Sequence, residues 1–215
     1  MTSRKTESPM RARLLESAAH LLATEGPSGL STRKVAAQAG TSTMSLYAQF
    51  GSMPELVRAV VDEGFARLAT QFDRVVETDD PIADLGSVFA AYIASGRADP
   101  DLYVVMFGSA SLGGYRTDAQ DLHSLGRHTF DFIAAGAERA VEAGRLKPLA
   151  PVAVAAQIWS ALHGYMTLEL AGYFTPPDAG VRNVLAPLML NLVVGLGDDH
   201  DRAVESSRSW FVTNS

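Results

Sequence analysis

The spacing of apolar side chains restricts what this chain can fold into more than any other feature of its sequence. Val57, Val61, Phe65, Leu68, Phe72 and Val75 step by four, four, three, four and three residues. That is the period of one face of an α-helix, whereas a half-buried strand needs alternation by two. The same spacing recurs at Leu14, Leu15, Ala18, Leu21 and Leu22. Alternating runs joined by hairpin turn signals are missing. The expected fold class is therefore all-α.

Glycine, proline and serine mark where the helices begin and end. A first helix from Met10 stops at Gly26-Pro27, because glycine takes the left-handed cap and proline cannot continue. Ser31 caps a second, from about Thr32 to Ala39, which Gly40 stops. Ser42 caps a third, to about Phe50, which Gly51 stops. Ser52 and Glu55 form a capping box that opens a long helix toward Val76, ended by Asp79-Asp80-Pro81. Further helices are expected over about 82–96, 101–107, 118–143, 151–174 and 181–196. Residues 108–117 are rich in Gly and Ser and read as a loop. From Asp198 onward the chain is polar except for Trp210 and Phe211, and is expected to fray. Three segments follow: a head, 1–51, a larger helical body, 52–197, and a flexible tail, 198–215.

Composition removes several functions. With 215 residues and 47% hydrophobic content the chain can bury a sizeable core. It has no cysteine, which excludes disulfide scaffolds, zinc fingers and thiol catalysis. None of the five histidines lies three or four residues from another, so a two-histidine helical metal site is absent; His128 with Asp131 comes nearest. No metal and no cofactor are expected. Ser109-Ala110-Ser111-Leu112-Gly113 lacks the first glycine of a nucleophile elbow. Gly195-Leu196-Gly197 lacks the third glycine and preceding strand of a dinucleotide site. An enzyme is not expected. The longest apolar run, Leu185 to Leu196, is interrupted by Pro187 and Asn191 and falls short of the ~20 residues that span a bilayer. Met1 to Met10 is polar and unlike a signal peptide. The reading is a cytoplasmic protein without a membrane partner.

The net charge of −6 is divided unevenly. Residues 1–50 carry six basic and three acidic side chains, while the rest carries twelve and twenty-one. A basic head on an acidic body suits contact of the head alone with a polyanion. Within that head, residues 31–50 read STRKVAAQAGTSTMSLYAQF. Two short helices meet at Ala39-Gly40-Thr41-Ser42, where glycine permits a positive φ. Val35, Ala36, Ala39, Leu46 and Phe50 are placed to pack them together, as in a helix-turn-helix. The other side of the third helix offers Thr41, Ser42, Thr43, Ser45, Tyr47 and Gln49, uncharged and mostly short, suited to the ~12 Å major groove. Met44 adds apolar contact of the kind a thymine methyl accepts, Arg33 suits guanine, and Tyr47 suits a phosphate oxygen.

Residues 10–72 resemble the DNA-binding head of the tetracycline-repressor (TetR) family. The matching features are the helix ending at Glu25-Gly26, then Leu30-Ser31-Thr32-Arg33-Lys34-Val35-Ala36, Ala39-Gly40-Thr41-Ser42, Leu46-Tyr47-Ala48-Gln49-Phe50, and Gly51-Ser52 leading to Leu56. The resemblance implies that Arg33, Thr43 and Met44 face bases, that Ser42 and Tyr47 hold phosphates, and that Ser31 caps the second helix. Gln49 and Met53 stand where the family often has histidine or tyrosine and lysine, so part of the usual backbone contact is lost; Arg4, Lys5, Arg11 and Arg13 are available to compensate.

In the body, residues 155–174 are apolar nearly all round, as are Val184, Leu185, Leu188, Met189, Leu192 and Val193. Two such helices pack either a single core or a second copy of the chain as a four-helix bundle. The expected homodimer interface comprises Ile158, Leu162, Tyr165, Leu185, Leu188, Met189 and Leu192. Trp159, His163 and Gly164 resemble a TetR-family C-terminal domain marked by those three residue types. Tyr92, Tyr103, Met106, Phe107, Phe130, Ile133, Trp159, His163 and Met166 are candidates for an effector pocket, since Met and aromatic side chains suit an apolar or planar ligand. The expected protein is a ligand-responsive regulator, most simply a repressor, binding a palindromic double-stranded operator as a homodimer. A small-molecule carrier whose head no longer binds DNA is the alternative.

Overall fold

The structure, a computed structural model, describes residues 8–107, 112 and 119–211, with the side chains of all of these but 119–125. The described residues form helices and no strand. In chain order they are α1 (Pro9–Gly29), α2 (Thr32–Gln38), α3 (Thr43–Phe50), α4 (Met53–Phe72), α5 (Pro81–Ala98), α6 (Pro100–Phe107), α7 (Ala119–Glu142), α8 (Pro151–Leu170), α9 (Pro177–Leu196) and α10 (His200–Ser207). Two compact units result: Met1–Ala66 with Asp99–Leu125, and Arg67–Ala98 with Gly126–Ser215. The expected head, 1–51, lies inside the first.

In the first unit, α1 starts on Ser8, whose Oγ accepts the Arg11 N–H at 3.2 Å. Its helical backbone breaks at Gly26, with φ of 69°, and one further turn carries it through Pro27 to Gly29. Buried Leu14, Leu15, Ala18, Leu21 and Leu22 turn α1 toward α2 and α6. On α6, Tyr103 and Phe107 meet at 4.9 Å between ring centroids, and Phe107 meets Phe65 of α4 edge-on at 5.6 Å. Gly64 lets α4 approach Met106 and Leu102, since a Cβ there would fall inside the Met106 side chain. His20 Nδ1 lies 2.7 Å from Asp101 Oδ2, tying α1 to α6 across 81 residues of chain.

The second unit buries Ile82, Leu85, Phe89, Tyr92, Ile133, Ile158, Leu162, Met189 and Val193 among α5, α7, α8 and α9. Ion pairs of Arg145, Arg97 and Arg139 help to close it, the last onto Asp84 at 2.8 Å. Arg145 forks onto Asp198 at 2.7 and 2.8 Å and reaches Asp80 Oδ1 at 2.8 Å. Asp80 also accepts the Ile82 and Ala83 N–H groups at the start of α5 and the Ser206 hydroxyl at 2.6 Å. Burial pushes the Asp80 carboxyl upward, but these hydrogen bonds and the Arg145 charge outweigh it and hold the pKa below the usual value. Arg97 forks onto Glu169 at 2.6 and 2.8 Å, and the Tyr165 hydroxyl donates to the same carboxylate at 2.7 Å.

Three expectations change here. The long fourth helix ends at Phe72 rather than near Val76, because the segment before α5 is held by other bonds: Thr78 donates from N–H and Oγ1 to Asp84 at 2.9 and 2.7 Å. The tail is folded through Phe211. Asp199 caps α10 by accepting the Asp201 and Arg202 N–H groups, and Trp210 lies on Gly86, edge-on to Phe89 at 5.5 Å, with its indole N–H donating to Ile82 O at 3.1 Å. Finally, α9 has 20 residues, and an 18-residue stretch of it has a mean hydropathy of 1.5, long and apolar enough in composition to cross a bilayer. Pro187 does not break it: the turn before it widens, with the Ala186 N–H bonding Val181 O five residues back. One face of α9 packs on α8 and α10 within this unit, through Leu185, Met189, Val193 and Leu196.

Candidate nucleic-acid interface

The recognition element is built by short-range interactions that the sequence dictates. Ser31 Oγ accepts the Lys34 N–H at 3.3 Å and starts α2. Gly40, with φ of 63°, reverses the chain, and the Thr41 N–H bonds Ala36 O at 2.8 Å. Ser42 Oγ accepts the Ser45 N–H at 3.2 Å and starts α3. Gly51, with φ of 75°, ends it. Val35, Ala36, Ala39, Leu46 and Phe50 are all buried where the two helices pack. The Arg11 guanidinium sits 4.9 Å over the Phe50 ring, holding α1 against the end of α3.

That packing fixes what points outward. Ser31, Arg33, Ser42, Thr43, Met44, Tyr47 and Gln49 are all exposed. Met44 is 79% exposed and Tyr47 49%, high values for side chains of that size. The Ser31 and Ser42 hydroxyls are engaged as caps, so their first role is to shape the motif. Lys34 pairs with Glu25, leaving Arg33 as the other cation of α2. Arg4 and Lys5, expected to add phosphate contacts, lie outside the described residues. The sequence did not point to the seating of α6 on α1 and α4 behind this motif. Its pairs span 81 residues in one case, and the signal available in the sequence is Gly64, a glycine inside the long apolar-patterned helix.

The nine effector-pocket candidates divide between the units. Tyr103, Met106 and Phe107 belong to the first, on α6. The other six belong to the second. Tyr92, Ile133 and Met166 are buried in its core. Phe130, Trp159 and His163 are half-buried. Trp159 meets Phe130 edge-on at 6.4 Å and stacks on His163 at 5.5 Å, and the Tyr92 hydroxyl lies 3.3 Å from His163 Nδ1. Desolvation lowers the His163 pKa below the ordinary histidine value, which favours the neutral ring.

The seven interface candidates also separate. Ile158, Leu162, Tyr165, Leu185 and Met189 are filled by the core of their own unit. Leu188 is 41% exposed and Leu192 half-buried. The accessible stripes are Ser160, Gly164 and Leu168 on α8 and Val184, Leu188, Asn191 and Gly195 on α9.

Two capped helices crossing at a glycine, with a solvent-facing second helix, define a helix-turn-helix DNA-binding protein. Residues 14–60 match the sequence model of the bacterial regulatory proteins of the tetR family, and residues 85–191 match the tetracyclin repressor-like C-terminal domain. An uncharacterized HTH-type transcriptional regulator of Mycobacterium tuberculosis is 30% identical over 203 residues, covering 86% of this chain and 81% of its own. The fatty acid degradation regulator FadR of Bacillus halodurans superposes with a TM-score of 0.77 at 16% identity, over 91% of this chain and all of that one. FadR of Bacillus subtilis, solved in complex with stearoyl-CoA, gives 0.73 at 15% identity, over 86% and 98%. The chain belongs to the TetR family of transcriptional regulators.

Proposed function

We propose that the protein is a ligand-responsive repressor that binds a palindromic operator as a homodimer and is released by a small apolar or aromatic effector. The observation that carries this reading is the outward face of α3. Thr43, Met44 and Tyr47 stand in solvent on a helix fixed at both ends, with Arg33 exposed beside it. Such a helix enters the major groove, and two of them reach half-sites about one turn, ~34–36 Å, apart.

The exposed stripes of α8 and α9 support the dimer. Gly164 and Gly195 have open space where a Cβ would stand, and Val184 and Leu188 flank the second stripe. Two copies of this two-helix face make a four-helix bundle with a two-fold axis. The half-buried Phe130, Trp159 and His163 support an apolar or aromatic effector, as does the acyl-CoA bound by the Bacillus subtilis relative. The effector acts through its difference in affinity between the DNA-binding and DNA-free states. A preference of about 2.8 kcal/mol for the latter weakens operator binding about a hundredfold.

The test is selection of bound duplexes from randomised and host-genomic DNA, followed by affinity against salt. The expected result is a palindrome bound tightly and with a steep salt dependence. Arg33→Ala and Tyr47→Ala each lose operator affinity and keep the fold. Weak, sequence-independent binding by folded dimer, unchanged in both variants, refutes the repressor and leaves a carrier.

A further inference from the structure

We propose that α3 reads its operator through thymine methyl groups, with Met44 as the reader, so that the base pair beneath Met44 in each half-site is A·T. This rests on the operator-binding reading above and names the chemistry that operator must present.

The argument begins with what α3 lacks. Its eight residues, Thr43–Phe50, contain no charged side chain. Leu46 and Phe50 are buried against α2 and α1. At 100° per residue, Thr43, Tyr47, Met44 and Ala48 then occupy a continuous outward arc of about 140°. All four are exposed. Tyr47 and Ala48 flank Met44, and Thr43 and Ala48 each bring one methyl group. Gln49, the residue type suited to adenine, stands about 140° around the helix from Met44, off this arc. The outward centre of α3 is therefore a methyl-rich surface around one long thioether.

The major groove offers few partners for such a surface. Guanine presents two acceptors, cytosine a donor, adenine one of each, and thymine an acceptor together with the one apolar group in the groove, its C5-methyl. Methionine donates no hydrogen bond and is at most a weak acceptor. A G·C pair beneath Met44 would lose water from its polar edge and gain no bond in return. A thymine methyl would instead be buried against the Met44 terminal methyl and sulfur, which adapt their rotamers to the contact. Met44 thus favours A·T and penalises G·C with the same atoms. Arg33, one helix away, is left to supply charge.

The experiment uses the full-length protein and the duplex it selects. Each thymidine of that duplex is replaced in turn by deoxyuridine, which removes only the C5-methyl. Wild type is expected to lose affinity about fourfold at one thymine per half-site, the value of a single buried methyl. Met44→Ala, a surface change, binds the thymine and uracil duplexes equally at that position, and Met44→Leu keeps most of the preference. The proposal is overturned by equal binding of every uracil duplex by wild type. It is also overturned by the same uracil sensitivity in Met44→Ala, or by a selected half-site whose affinity rises when the pair probed by Met44 is changed to G·C. Failure to select any duplex overturns the repressor reading itself, and this one with it.

Discussion

Gly86→Ala should unseat the C-terminal segment by a route that can be followed quantitatively. A Cβ at residue 86 would fall within the indole ring of Trp210, at Cδ1, Nε1 and Cγ. These are rigid ring atoms, so no small rotation relieves the overlap, and Trp210 has to leave its site. It is 5% exposed there. A tryptophan buries 150–250 Å², which at ~25 cal/mol/Å² sets an upper bound of about 4–6 kcal/mol. Alanine for glycine within a helix returns about 1 kcal/mol. Arg145 still holds Asp198, so the loss stays local to the end of the chain. The expected net cost is about 2–4 kcal/mol, or a fall in Tm of about 5–15 °C for a chain of this size. Denaturation gives the stability. Emission from Trp210 in a Trp159→Phe background reports its transfer to water. In a Trp210→Ala background the same substitution should cost nothing, or stabilise by up to about 1 kcal/mol. Full stability in the single variant with unchanged Trp210 emission would refute the reasoning. So would an equal cost in both backgrounds.

Other consequences follow from the ion pairs, the half-buried histidine and the open face. Burial pushes the Glu169 carboxyl up, but the Arg97 and Tyr165 hydrogen bonds hold it below its usual value. Its contribution is therefore present above the unfolded pKa, ~4.3, and lost as pH falls through the folded value. Glu169→Gln should cost about 1–3 kcal/mol at neutral pH, below the 3–5 typical of a fully buried pair because Arg97 keeps 31% exposure. Its Tm should also fall less steeply than wild type between pH 5 and pH 3, about the range in which carboxylates titrate. The depressed His163 pKa means that the unfolded chain binds the extra proton first, so stability falls as pH drops below ~6.5 toward the folded value. His163→Asn should abolish that slope in Tm measured between about pH 7 and pH 5. Leu188→Arg, on the exposed side of α9, should leave the Tm of the monomer nearly unchanged. Sedimentation should show the proposed dimer lost, and affinity for a palindromic duplex should fall at least about tenfold.

The parts of this molecule legible in its sequence are those whose partners lie a few residues away. Gly26, Gly40 and Gly51 punctuate the helices and take φ of 69°, 63° and 75°. Ser31, Ser42 and Ser52 cap the amides three residues on. The turn and the outward face of α3 follow from these and from Leu46 and Phe50. Long-range pairing was not legible. His20 with Asp101, Arg97 with Glu169 and Arg145 with Asp198 are separated by 81, 72 and 53 residues, and periodicity does not name a partner. The body shows the same limit. An apolar stripe says that a side chain is covered and not by what, so Ile158 and Leu162 turned out to be covered by their own unit. In the tail, average polarity misled, because Trp210 on Gly86, the Asp199 cap and the bonds of Asp198 and Ser206 hold a segment that is otherwise polar.

The first unit is assembled from two stretches of chain, Met1–Ala66 and Asp99–Leu125. Its helix α6 returns to lie on α1 after the whole of α5 has been spent elsewhere. A DNA-binding fragment cut after residue 66 would keep every residue of the recognition motif and lose the helix it leans on. Leucines of α1 would face water, and His20 would have no carboxylate. The helix-turn-helix thus belongs to a unit that is not continuous in sequence, and a domain swap between relatives has to carry α6, Pro100–Phe107, along with the first sixty-six residues.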